Sequence, residues 1–371
     1  MRKVKIDYLQ EDMELARPIF DGKGNILLRE GKKLKNNYIE KLKEKYVNYV
    51  YVRDEISEGL EEVEDLIKPE TREEAKQVVG RVFSESKKDL GNGLNSLLFL
   101  KERYREVIEN IVDQLLDNKN LMVSLEDIKY KDCYTFNHCI NVGVLSLVLA
   151  LDKGMYKSQM KDLAFGVFLH DLGKIFVPIE ILNKKGSLED EEFEIIKRHS
   201  EKGYEMVKKS KALKEVSALV IYEHHERFDG RGYPRGLCGE EISLFSRISA
   251  VADVYDALIS DRPYRKGKYP HEAYNILESG NNEFDLDILS RFLKKVASYP
   301  VGTVLELSNG YIGIVKENIE GYSKFPVVKI ISDLDKCPVK PFEIDLKESI
   351  NVVVNRLLEE EEVQEIKKKI K

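Results

Sequence analysis

Cysteine is scarce in this chain, and none of its four copies (Cys133, Cys139, Cys238, Cys337) forms a CxxC pair. That spacing gives no basis for a disulfide framework and reads as a reduced, cytoplasmic protein. Cys133 and Cys139 flank His138 and read as small buried residues rather than soft metal ligands. Long apolar runs are missing too. The first twenty residues lack an apolar core of signal-peptide length. The longest run, Val142–Leu151, is about ten residues, so no membrane insertion is expected. Prolines number only 10. The net charge of −6 comes from well-mixed signs, which argues against binding a nucleic-acid polymer. A small anionic ligand needs only a local basic patch, and net charge does not exclude one.

What is present fits a mainly α-helical protein of two or three domains in 371 residues. Residues 1–53 read as a small α+β module. Ala16–Phe20 and Ile26–Leu28 form a hairpin around Asp21-Gly-Lys-Gly-Asn, a helix runs over Asn37–Tyr46, and a strand follows from Tyr49. Residues 54–120 read as an acidic linker with connecting helices. Seven of the twelve residues Asp54–Asp65 are acidic, Thr71-Arg-Glu-Glu74 has the capping-box pattern, and a second helix is expected over 95–118. Residues 121–300 read as a helical bundle. Its helices are expected over Ile140–Leu151, over Gln159–His170 with Gly173 as cap, after a Ser187 cap, over Glu215–His225, and after a Ser243 cap. Residues 301–356 read as a small β module with strands at Val304–Leu307, Gly313–Val315 and Val327–Ile331. Residues 357–371 read as an exposed charged helix or tail.

All six histidines fall between positions 138 and 271. Five of them suit metal binding: His138, His170 beside Asp171, His199, and the neighbours His224 and His225. Asp253 supplies a further carboxylate. Taken singly, each has a structural reading as a core histidine, a helix C-terminus or an exposed acid. Together they recur in order, with intervals of 32, 29 and 25 residues between His138, His170, His199 and His224. Such intervals let several helices aim side chains into one bundle core. Imidazole and carboxylate together suit Fe or Mn, with Zn and Ni also compatible. The donors are too many for one tetrahedral ion and about right for two ions sharing a carboxylate.

His170-Asp171 with Gly173-Lys174, Gly232-Tyr233-Pro234 after His224-His225, and Asp253 with Arg262-Pro-Tyr-Arg265 together resemble the HD-GYP domain. This is a branch of the HD superfamily of metal-dependent phosphohydrolases. The resemblance implies two divalent metal ions bridged by Asp171, one held also by His138, His170 and Asp253, the other by His199, His224 and His225. It implies that Lys174 meets the scissile phosphate, that Arg262 and Arg265 hold the second phosphate, and that the Gly232-Tyr233-Pro234 loop borders the substrate cleft. Catalysis is thereby expected at Asp171 and Lys174. The activity implied is hydrolysis of cyclic di-GMP, by attack of a metal-bridging hydroxide, to linear pGpG, with onward cleavage to GMP left open. Some members carry a glutamate four residues before the first histidine, which helps hold a third metal. Tyr134 stands there, so a two-metal site releasing linear dinucleotide is expected. Asn137, Glu226 and Asp229 are candidates to orient the ligands. The alternative is a catalytically slow cyclic-dinucleotide receptor that signals through its terminal modules; a different cyclic dinucleotide as substrate is a third reading. Homodimer formation or a protein partner through those modules is left open.

Overall fold

The computed structural model describes residues 1–21, 25–45, 47, 49–60, 65–88, 101–118, 122–123, 134–184, 186–260, 266–280 and 282–370. Contacts divide the chain into two compact units. One comprises Met1–Glu64, Met122–Cys133 and Lys294–Lys371, and the other Asp65–Leu121 and Tyr134–Leu293. Both ends of the chain therefore belong to a single unit rather than to separate modules.

The first unit is built from small antiparallel sheets. Strands β1 (Arg2–Lys5), β2 (Glu14–Leu15) and β5 (Tyr49–Arg53) form a sheet in the order β1-β5-β2. β3 (Ile19–Phe20) and β4 (Ile26–Leu28) form the expected hairpin, closed by Asp21 N–H donating to Asn25 O at 2.8 Å. Helix α1 (Asn36–Glu44) buries Ile39 and Leu42 against this layer. A five-stranded sheet follows in the order β10-β6-β7-β8-β9, from β6 (Val304–Leu307), β7 (Ile312–Glu317), β8 (Val327–Ser332), β9 (Pro338–Asp345) and β10 (Val354–Leu357). The last two strands were not foreseen. β9 carries Pro338 and Pro341, which a sheet accepts at the edge position that β9 occupies.

Two expectations for this unit are corrected. Residues 357–371 are not an exposed tail: a helix over Glu360–Ile370 buries Val363 and Ile366 among Ile56, Leu60, Val304 and Ile314. Nor is the start of the acidic stretch a solvated linker. Asp54 is buried beside Arg2 (2.8 Å) and Lys367 (3.0 Å), and Arg2 also meets Glu360 at 2.9 Å.

The second unit is helical. Its elements are α2 (Pro69–Lys88), α3 (Lys101–Asp117), α4 (Tyr134–Asp152), α5 (Lys157–Val167), a 3-10 turn (Leu172–Phe176), α6 (Ile179–Leu182), α7 (Asp190–Ser210), α8 (Glu215–Glu223), α9 (Leu244–Ile259), α10 (Pro270–Ser279) and α11 (Leu286–Lys295), whose last two residues are counted with the first unit. α4 is its centre, with Cys139, Ile140, Val142, Leu145, Leu147 and Leu149 all at most 1% exposed. By length and composition Thr135–Asp152 could cross a membrane, which the ten-residue run did not reveal, and 72% of it is buried within the protein.

Helix starts also differ from expectation where a competing cap wins. α2 begins at Pro69, favoured at a first helical position, and Thr71 instead accepts a hydrogen bond from Gln114 Nε2 at 2.8 Å. α7 is capped by Glu189 rather than Ser187, with Glu189 N–H donating to Glu192 Oε2 at 2.8 Å. Ser243 caps α9 as expected, accepting from Ser246 N–H at 3.3 Å. α5 stops at Val167, so His170 and Asp171 sit in the turn beyond it and Gly173 lies in the 3-10 turn rather than capping the helix.

Candidate metal centre

Five segments of the helical unit converge on one buried cluster. α4 supplies His138, the turn after α5 supplies His170 and Asp171, α7 supplies His199, the end of α8 supplies His224 and His225, and α9 supplies Asp253. The approach of α7 to the 3-10 turn depends on glycine: a Cβ on Gly173 would stand 1.8 Å from His199 O and 2.7 Å from Gly203 N. No larger residue lets the two backbones bring Asp171 and His199 together at this distance.

The donors fall into two sets, His138–His170–Asp171 and His199–His224–His225, and in each set the potential ligand atoms lie within 4.8 Å of one another. His138 Nε2 and His170 Nε2 are 3.3 Å apart, and His199 Nε2 and His224 Nε2 are 3.2 Å apart. Asp171 faces both sets. Its Oδ2 is 3.7 Å from His170 Nε2 and 3.9 Å from His138 Nε2, while its Oδ1 is 3.5 Å from His199 Nε2. Asp253 also spans them, with Oδ1 3.0 Å from His138 Nε2 and Oδ2 3.7 Å from His225 Nδ1.

Ring orientation follows from what the other nitrogen touches. Nδ1 of His170 meets Val167 O at 2.8 Å, that of His199 meets Ile196 O at 2.7 Å, and that of His224 meets Ile221 O at 3.0 Å. A carbonyl oxygen only accepts, so in each ring Nδ1 carries the proton and Nε2 keeps its lone pair for the cluster. Burial holds all three rings on the neutral side, His199 down to about 4. Burial likewise lowers His225 to about 3.

His138 differs. Burial opposes its charge, but Asp253 on one side and Asp256 on the other overcome this and raise it to about 10. Asp256 is fully buried; it lies 2.7 Å from His138 Nδ1 and accepts from Asn141 Nδ2 at 2.8 Å and Ser260 Oγ at 3.2 Å. Asn141 in turn accepts from Arg72 Nη1 at 2.8 Å. Burial of Asp171 and Asp253 favours their neutral forms, yet Lys174 and the histidines around Asp171, and His138 beside Asp253, hold both carboxylates well below their usual range. Lys174 Nζ donates to Asp171 Oδ2 at 2.6 Å and is held charged by it against burial.

The donor set fits divalent cations on one further observation: Asp171 Oδ1 is buried and receives no hydrogen bond. A buried anionic oxygen without a donor, facing neutral imidazole nitrogens, is what a cation satisfies.

The remaining expected site residues distribute unevenly. Tyr233 leans on the His225 ring at 4.7 Å between centres, and its N–H donates to His225 O at 3.1 Å. Gly232 is tight against the chain's own backbone, since a Cβ there would stand 2.3 Å from Arg227 N. Its smallness therefore serves loop packing. Pro234 follows through a cis peptide bond. Glu226 is not a ligand orienter. It accepts from Arg235 N–H at 2.7 Å and Leu237 N–H at 3.0 Å, pinning the loop, and Asp229 does the same for Arg231 N–H at 3.0 Å. Arg262 and Arg265 lie outside the described residues, as does the side chain of Tyr134. Sequence reading missed Asp256, whose signal was its i+3 position after Asp253 on the inward face of α9. It also missed Glu223, buried and paired with Arg235, which accepts from Ser243 N–H at 2.9 Å and ties the start of α9 to α8.

Residues 109–288 match the family model for the HD domain. This stretch is an HD domain, and Gly232-Tyr233-Pro234 gives it the HD-GYP signature. The chain is similar to a cyclic di-GMP phosphodiesterase of Pseudomonas aeruginosa, 38% identical over 65% of this chain and 58% of the relative. A cyclic di-GMP phosphodiesterase of Thermotoga maritima is 36% identical over 58% of each chain. A 3'3'-cGAMP-specific phosphodiesterase of Vibrio cholerae is 36% identical over 51% of this chain and 42% of the relative. The chain thus spans a little over half the length of the first two relatives.

Proposed function

We propose that the chain is a two-metal phosphodiesterase that opens cyclic di-GMP to linear pGpG. The observation that carries this reading is Asp171, whose two carboxylate oxygens face two separate histidine sets while one of them lacks any donor. In this proposal His138, His170 and Asp253 hold one ion, His199, His224 and His225 the other, and Asp171 is shared. Fe and Mn suit the donors best. Two such cations, when bound, supply Lewis acidity at a phosphoryl oxygen and lower the pKa of a water between them.

The chain's own residues supply the rest. Four neutral imidazoles, with His138 ligating only after it gives up the proton that Asp253 and Asp256 favour, leave the centre net positive once loaded, which favours an anionic diester. Lys174 is assigned to hold charge against the phosphate and a proton near the departing ribose oxygen, which its pairing with Asp171 and its 28% exposure support. Arg262 and Arg265 are assigned to the second phosphate, a role fork-shaped guanidinium donors fit. Tyr134, one turn before His138 on α4, replaces the carboxylate a third ion would use, which favours two ions and release of pGpG. The names of the Pseudomonas and Thermotoga relatives support the substrate, and the Vibrio relative supports a second reading in which a mixed cyclic dinucleotide is cleaved. The cytoplasm is part of the same proposal, supported by free thiols at Cys139, Cys238 and Cys337.

The test is an anaerobic assay of protein loaded separately with Mn and Fe(II), with Asp171→Ala as control. The expected result is pGpG from the intact protein only. No product despite two bound ions per chain would overturn the reading in favour of a receptor, and cleavage of 3'3'-cGAMP alone would move the substrate.

A further inference from the structure

Among the described residues of the cluster, exposure is confined to two. Side chains of His138, His170, Asp171, His199 and Asp253 are 0–9% exposed, whereas His225 keeps 26% and Lys174 keeps 28%. These two residues mark its mouth. From His225 an aromatic series runs outward. Tyr233 lies over the His225 ring at 4.7 Å with a 32° tilt, and Phe193 of α7 meets Tyr233 edge to face at 6.4 Å. Lys197, one helical turn after Phe193 and on the same face, holds its ammonium 4.8 Å from the Phe193 ring centre and 5.8 Å from that of Tyr233. Phe193 is nonetheless 43% exposed. Folding leaves a large aromatic ring half open beside a mouth built for anions.

We propose that Phe193, backed by Tyr233 and flanked by Lys197, is the platform on which a nucleobase of the substrate stacks. This rests on the dinucleotide reading and deepens it, by assigning base contacts to two residues of α7 outside the metal donors. A ligand that meets Lys174 with a phosphodiester and Phe193 with a planar π face is a nucleotide. Two ring-to-ring steps, of 4.7 and 6.4 Å, lead from His225 through Tyr233 to Phe193. A stacked ring accepts any base, because each has a π face, and the nearby ammonium strengthens the contact. The platform therefore sets affinity for nucleotides as a class, and discrimination among bases falls to other groups.

The chain contains no tryptophan, so Phe193→Trp installs a single fluorescent reporter at the platform. Titrating the metal-loaded full-length variant with cyclic di-GMP is expected to give saturable quenching, and titration with ribose 5-phosphate none. In parallel, Phe193→Ala is expected to weaken cyclic di-GMP binding by roughly 5- to 150-fold, the range for removing one stacked aromatic. Its metal content by elemental analysis should stay unchanged, and Phe193→Trp should restore affinity. Absent quenching, equal quenching by ribose 5-phosphate, or wild-type affinity in Phe193→Ala would each overturn the platform. The two proposals fail separately: turnover with no base-dependent quenching removes the platform alone, and base-dependent quenching with no turnover removes the hydrolase alone.

Discussion

His138 Nδ1 and Asp256 Oδ2 stand 2.7 Å apart and join α4 to α9 behind the imidazole edge that faces Asp253. Asp256 is in turn held by Asn141 and Ser260, so its carboxylate fixes the ring without touching the cluster. Asp256→Asn keeps the shape and removes the charge. Cation affinity should fall roughly 10- to 100-fold, the usual cost of losing such a partner. Competition titration with a chelating dye reads this directly; wild-type affinity in the variant would show that the pair does not tune the site.

Asp171 links both donor sets, so its loss should uncouple stability from metal. At free cation one hundred times Kd, wild-type protein should gain about 2.7 kcal/mol against unfolding. Asp171→Ala should gain little. Calorimetry with and without Mn decides the matter, and an undiminished gain in the variant would mean that the cation binds elsewhere.

Gly173→Ala places a methyl against His199 O, where the available distance is 1.8 Å. The 3-10 turn must withdraw from α7, at a cost of about 1–3 kcal/mol or more. Because Asp171 and His199 ride on the two separated segments, metal occupancy should fall along with the unfolding midpoint. A variant as stable as wild type with full occupancy would show that the turn repacks freely.

In the sheet-bearing unit, Asp54 lies beside Arg2 and Lys367, all three at most 6% exposed on their side chains. Asp54→Ala leaves buried cations with less compensation and should cost about 3 kcal/mol. The pH dependence has a definite sign. Burial would raise the Asp54 carboxyl, but Arg2 and Lys367 hold it below its ordinary value of 3.8. Its stabilisation is therefore complete above about pH 4 and is lost as pH falls below that, through the lowered folded-state value. Urea denaturation at pH 7 and pH 3 should show wild type and Asp54→Ala converging at the acid end.

The donor set was legible because metal chemistry demands particular side chains, and those residues stand out in any order of helices. Its surroundings were less so. Asp256 did not stand out, since an i+3 acid on an amphipathic helix is ordinarily solvated. Only packing of α4 against α9 turns it inward. Glu226 read as a ligand orienter because it follows two histidines, yet its oxygens go to loop amides. Gly232 read only as part of a loop at the cleft, and its close neighbour is the backbone of Arg227. Strand β9 was hidden by its prolines, which only its edge position tolerates. In each case the deciding contact joins segments far apart in sequence, or a loop's backbone to itself, and neither leaves a periodic trace.

His170, His199 and His224 each take their tautomer from a carbonyl three residues earlier in the chain. Such a ring carries its own tether, and substitutions elsewhere in the bundle leave it correctly protonated. His138 has instead delegated that duty to another helix. Across related proteins, positions 138 and 256 should therefore change together, while the other three histidines drift free of any such companion. Inheritance of this site is in that sense modular at three corners and contractual at the fourth.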